Sequence, residues 1–124
     1  MLAFNELVFD QFTRGGVKVF TPAKFDEILG SATDLAVEIE VEEASGSTPT
    51  ITVECLCSSS GKAVVTLSTL VTNGDISNVA TTVYRVFVTQ AGPLGKLVRL
   101  SVLIGGTSNP TARVRIWAAG RMRN

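Results

Sequence analysis

A chain of 124 residues, 45% of them hydrophobic, is one domain with room for a core, and extensive disorder is excluded. Eleven acidic against eleven basic side chains leave no net charge, and there is no histidine. Those facts remove Ser-His-Asp, Cys-His and His-metal chemistry and leave too small a basic footprint for a nucleic-acid domain.

Apolar runs such as Leu100–Ile104, broken by Ser101, are too short for a transmembrane helix. The N-terminal stretch MLAFNELVFDQF carries Glu6 and Asp10 and lacks a basic leader region, so synthesis in the cytoplasm without a cleavable signal is expected. Charge is unevenly placed along the chain. Residues 1–62 hold ten acidic and four basic side chains; residues 63–124 hold one acidic (Asp75) and seven basic. Early and late strands pairing inside the chain would satisfy that split, and so would subunits packed head to tail.

In residues 1–16, Phe4, Leu7, Val8, Phe9 and Phe12 are apolar, and Arg14-Gly15-Gly16 closes the segment. Apolar positions at 4, 8 and 12 suit a short helix, and an N-terminal arm that packs on a neighbour suits them equally. Val17–Phe20 reads as a short strand. Thr21-Pro22 then caps one or two helical turns over residues 22–29, with Phe25, Ile28 and Leu29 on one side and Gly30 at the end.

Asp34–Cys57 has the clearest pattern. Leu35, Val37, Ile39 and Val41 alternate with Ala36, Glu38, Glu40 and Glu42, as a half-buried strand requires. Ser45-Gly46-Ser47-Thr48-Pro49 interrupts with turn-forming residues, and Ile51, Val53 and Cys55 resume. The expectation is a hairpin. Ala63–Val71 is a strand, and Thr72–Ala80 a polar loop with an Asn-Gly turn. In Thr81–Gln90 apolar residues fall on both faces, as in a strand covered on both sides. Ala91–Gly95 is a loop. Lys96–Ile104 places Val98, Leu100, Val102 and Ile104 inward. Gly105–Pro110 is a turn. Thr111–Ala119 alternates Ala112, Val114 and Ile116 with Arg113, Arg115 and Trp117, and a basic tail follows.

Seven to eight short strands, Gly/Pro/Ser/Asn turns and one small helix predict an all-β fold. It is an antiparallel β-sandwich of jelly-roll or immunoglobulin-like topology, with residues 1–16 as the arm and 17–124 as the single domain.

No pattern of catalytic residues, cofactor site or metal site emerges. Cys55 and Cys57 share a strand face, a poor geometry for bonding each other, and read as reduced thiols. The glutamates lie on an extended strand rather than in a calcium loop, so a salt-bridged sheet face is expected. Three like charges on one strand need a basic neighbour. Arg113 and Arg115 have the matching alternation, which places the last strand beside the first half of the predicted hairpin. Trp117 with those arginines could stack on a base or a sugar, but a single Trp and zero net charge make ion pairing the more economical account.

Two stretches carry a resemblance: Phe25–Thr52 (FDEILGSATDLAVEIEVEEASGSTPTIT) and Lys96–Arg121 (KLVRLSVLIGGTSNPTARVRIWAAGR). They resemble small β-sandwich virion proteins of tailed bacteriophages, in an LGSA-D-LA lead-in, an SG-x-TPT turn, a VRL-x-V strand and a final Gly-Arg pair. Cys55–Ala63 departs from that pattern. The resemblance implies a non-enzymatic decoration or cement protein on the phage head surface. Its partners would be the major capsid protein or other virion subunits. A homo-oligomer, with a trimer favoured, is implied, and neither nucleic acid nor membrane is expected as a partner. The expected contacts are Phe4, Phe9 and Phe12 in the arm, with Arg113, Arg115, Arg121 and Arg123 as charged groups and Glu38, Glu40, Glu42 and Trp117 beside them. A tail or head–tail connector component, which would form rings in isolation, is the alternative. So is a carbohydrate- or receptor-binding module, which would lose glycan binding with Trp117.

Overall fold

Alternating apolar side chains make strands whose one face must be covered, and among the described residues only a five-residue α-helix is available to do it. The sheet therefore covers itself. The structure, a computed structural model, describes residues 2–58, 60, 65–77, 79–89 and 96–122. The strands are β1 (Leu2–Arg14), β2 (Val19–Phe20), β3 (Ala32–Ser58), β4 (Val65–Asp75), β5 (Thr82–Thr89) and β6 (Leu97–Met122). A 3-10 turn at Ala23–Phe25 leads into helix α1 (Asp26–Gly30). All the strand pairings are antiparallel, in the order β1-β6-β3-β4, with β2 also on β6 and β5 also on β3.

The expected hairpin at Asp34–Cys57 does not form. Its two arms are consecutive parts of one 27-residue strand, β3, and neither pairs with the other. The same holds for Lys96–Ile104 and Thr111–Ala119, which are parts of the 26-residue β6. These two mergers, with β1 added, are why the described residues form six strands in place of the seven to eight expected. β3 and β6 run side by side from Ala32 opposite Met122 to Ser58 opposite Leu97. Between Glu42–Arg113 and Thr50–Gly105 the ladder becomes irregular. Positive φ at Glu43, Gly46 and Thr48 on β3, and at Gly106, Ser108 and Asn109 on β6, turns the two strands through a corner together. Turn-forming residues here bend the chain instead of reversing it.

The corner divides the sandwich into two halves. The arginine half holds β1, residues 111–122 of β6, residues 32–42 of β3, and β5. The cysteine half holds β2, residues 97–105 of β6, residues 50–58 of β3, and β4. The bend takes up as many residues on β3 as on β6, so the inward faces stay in phase. Leu35, Val37, Ile39 and Val41 share one core with Ile51, Val53 and Cys55, and with Val98, Leu100, Val102, Ile104, Val114 and Ile116. Each of these is all but fully buried. The predicted inward alternation of both segments is correct to the residue. The total accessible surface, 6528 Å², is close to the ~6,400 Å² of a well-packed chain of this mass.

The segment expected as an N-terminal arm lies along the sheet as edge strand β1, and no helix forms there. A bulge between Leu7 and Phe9 puts both Val8 and Phe9 into the core, which breaks the alternation and imitates helical spacing. Thr21 does not cap the helix. Its hydroxyl accepts from the Leu100 amide at 3.1 Å and so fixes β6. Leu29 of α1 is buried and Phe25 and Ile28 pack against the core, as expected. Asp26, buried, accepts from Arg99 Nε at 3.3 Å and from a second guanidinium nitrogen. The expected polar loop at Thr72–Ala80 begins later, because β4 runs on to Asp75. The loop at Ala91–Gly95 lies outside the described residues.

Candidate assembly interface

The outer face of the arginine half gathers most of the residues singled out in the sequence. Register places them in rows across β1, β6, β3 and β5. One row is Leu7, Trp117, Glu38 and Arg85; the next is Asp10, Arg115, Glu40 and Val83; then come Phe12, Arg113 and Glu42. On the other side of the Trp117 row lie Asn5, Ala119, Ala36 and Phe87. The predicted adjacency of the glutamates and arginines is therefore met inside one chain.

Most of the charges on this face are paired with one another, although Arg113 Nε is buried without a hydrogen-bond partner. Arg115 bonds Glu42, lies 3.5 Å from Glu40 and 3.5 Å from Asp10. Arg113 reaches Asp10 at 2.8 Å, and Arg85 reaches Glu38 at 3.1 Å. The hydrogen bond to Glu42 raises the Arg115 pKa, with the Glu42, Asp10 and Glu40 charges adding to it. These pairs join first-half acids to second-half bases, so much of the uneven charge along the sequence is matched within the monomer. Arg113 and Arg115, expected as contacts to a partner, are engaged by their own chain. An approaching surface would meet ion pairs rather than bare charge.

Of the expected aromatic contacts, only one is free. Phe12 is 57% exposed, whereas Phe9 is 2% exposed and belongs to the chain's own core. Phe4 is half-buried, its ring lying over Gly120 so closely that a Cβ there would sit 2.9 Å from it. Arg121 is exposed at the end of the face, and Arg123 lies outside the described residues. Trp117 is half-buried in the middle of the face.

Sequence reasoning placed β5 as a strand but missed its exposed face. Its apolar residues on two faces suggested a strand covered on both sides. Instead Phe87 is 76% exposed and Val83 43%. Tyr84, Val86 and Val88 face inward, and Tyr84 Oη donates to the Asp75 carbonyl at 2.7 Å. The available signal was the absence of any helix able to cover a second face. Two shallow grooves flank Phe87. One, of about 410 Å³, runs over Ala3, Ala36, Ala119 and Gly120. The other, of about 200 Å³, lies between Asn5, Arg85 and Trp117.

Elsewhere the chemistry is sparse. Cys55 and Cys57 are free thiols, as read from the sequence. Burial, with a smaller contribution from Cys57, pushes the Cys55 pKa up to about 12, so it is an unreactive core thiol. Among the described residues no three His, Cys, Asp or Glu side chains are grouped to hold a metal ion.

No family model matches the sequence, and no curated protein matches it. Solved structures do share the fold. One is from work on Bacillus endospore appendages, described as a family of disulfide-linked pili. It has a TM-score of 0.51 and 11% identity, over 98% of this chain and 89% of that one. A second is a chain of infectious bursal disease virus, Gt strain, at a TM-score of 0.58 and 12% identity over 97% of this chain. A third is a mutant VP2 protein of the same virus in derived T=1 particles, at 0.56 and 11%, again over 97% of this chain. This chain spans about a third of each viral chain, 33% and 32% of their lengths. At such identities the likeness is one of fold.

Proposed function

We propose that this chain is a non-enzymatic structural subunit of a virion, a decoration or cement protein seated on the outer surface of a tailed-phage head. The observation that carries the reading is the outer face of the arginine half. The charges at its centre, Arg85, Arg113 and Arg115 with Glu38, Asp10 and Glu42, are already paired, and its exposed apolar side chains, Leu7, Phe12, Val83 and Phe87, sit on the two flanking strands. Such a face can be buried without stranding a bare charge, and each apolar Å² covered contributes roughly 25 cal/mol. The fold shared with viral chains and a pilus protein, and the sequence resemblance to phage virion proteins, support the same reading.

The mechanism is mass action. A subunit that binds only the assembled shell lowers the free energy of that state and so resists heat and internal pressure. Deleting residues 1–16 would not test this, because it strips an edge strand from the fold. Phe12→Ala combined with Phe87→Ala alters two exposed side chains and leaves the core intact. Heads saturated with the native chain should melt at a higher temperature than bare heads. The double variant should be lost from heads during sedimentation. Heads that neither retain the native chain nor gain thermal stability from it would overturn the proposal.

A further inference from the structure

Both outer strands of the arginine half are open. Among the described residues, neither β1 nor β5 has a backbone hydrogen bond on its far side. A bare edge is a template for another strand, and proteins that avoid this blunt it with lysine, proline or bulges. β5, TVYRVFVT, has no lysine or proline, and its register against β3 is unbroken; β1 also lacks lysine and proline but carries the bulge between Leu7 and Phe9. The four strands alternate in direction, so β1 and β5 run oppositely. A second copy in the same orientation would therefore bring its β1 antiparallel to β5, outer face beside outer face.

The side chains choose a register. Leu7 and Phe12 sit opposite Trp117 and Arg113, four residues apart on β6. Phe87 and Val83 sit opposite Ala36 and Glu40, four residues apart on β3. The two apolar pairs thus span the same number of rows, the bulge between Leu7 and Phe9 absorbing the extra residue on β1. A shift of one row sets Leu7 of one copy beside Phe87 of the next and Phe12 beside Val83. The same shift brings Asp10, already bonded to Arg113, opposite Arg85, whose side chain pairs with Glu38 and is 74% exposed. Two apolar contacts and the meeting of two ion pairs of opposite polarity fall into place together.

We infer that β5 of one copy pairs with β1 of the next in this register, extending the arginine-half sheet from subunit to subunit. This deepens the assembly reading by naming a second copy of the chain as one partner. The interface is heterologous, so it closes into a ring or continues as a chain and does not stop at a two-fold pair.

The test uses the purified chain alone. Sedimentation should show species larger than dimers as concentration rises. Phe87→Lys, at an exposed position that leaves the fold intact, should weaken association by at least about tenfold. Mixing a Leu7→Cys chain with a Phe87→Cys chain under oxidation should give a cross-linked pair, and replacing Phe87→Cys with Val83→Cys should not. A chain that stays monomeric, associates equally well with Phe87→Lys, or stops at dimers cross-linked through Phe87→Cys alone would overturn the inference. A monomer that still rides with phage heads would end the edge pairing and leave the proposed function standing. Self-association with the expected cross-link and no binding to heads would do the reverse.

Discussion

The two halves of the sandwich share β3 and β6 but end differently. The cysteine half stops at the two-residue β2 on one side and at β4 on the other, where the pairing shifts register three times. The segment carrying α1 lies against it, its Asp26 holding Arg99, and the outward Ser101 is buried. The arginine half ends in the 13-residue β1 and the eight-residue β5, with apolar side chains exposed along both. Short or irregular edges discourage pairing between molecules, and long regular ones invite it. The contrast is sharpest at β5, which is unbroken, while β1 carries one bulge and Phe20 on β2 is as exposed as Leu7.

That contrast can be broken at the corner. Gly46 has φ +98°, and a Cβ there would lie 2.8 Å from the Pro110 Cα and 2.9 Å from the Thr107 oxygen. Neither backbone atom can move away without opening the bend. Gly46→Val should cost on the order of 3–5 kcal/mol, a large part of a domain's usual ~5–15 kcal/mol. Denaturant melts would measure it. A loss below about 1 kcal/mol would mean that the halves do not depend on this bend.

A second lever acts on the cysteine half through pH. The Cys55 thiol has its pKa raised from 9.0 to about 12 in the folded chain. Between those values the folded state keeps a proton that the unfolded chain gives up. Stability is therefore full below pH 9 and falls as pH rises toward 12, by at most about 1.4 kcal/mol per pH unit for this group. Tyr84, also raised by burial and by the Asp75 charge, acts in the same direction. Comparing the chain with Cys55→Ala over pH 8–11 isolates the thiol; an unchanged slope in the variant would refute the assignment.

The smallest effect belongs to the arginine half. Arg115→Ala removes the centre of the Asp10, Glu40 and Glu42 cluster and leaves three carboxylates adjacent. Its melting temperature should fall slightly in low salt. The difference from the native chain should vanish near 1 M salt, where screening acts over about 3 Å. A loss that persists in high salt would show a packing role instead.

Much of this was legible in the residues. Alternation at Leu35–Val41, Ile51–Cys55 and Val98–Ile104 marks the inward faces, and three spaced glutamates imply the arginine strand beside them. The corner was not legible as a corner. Ser45–Pro49 offers the same glycine, serine and proline to a bend as to a reversal, and only the distant β6 decides between them. The bulge at Val8 hid β1 for a related reason, since one added residue erases the two-residue period. Exposure of Phe87 depends on what fails to cover it, which no local pattern records.

The position of β6 has a consequence for how the chain comes into being. β6 follows every other strand in sequence, yet it lies between β3 and both β1 and β2. During synthesis the earlier strands leave the ribosome with the centre of their sheet still missing. β3 can hold β4 and β5, but β1 and β2 have no place to dock until β6 arrives. The architecture thus postpones closure until translation has passed β6, and the apolar residues of β1 must be kept from strangers until then.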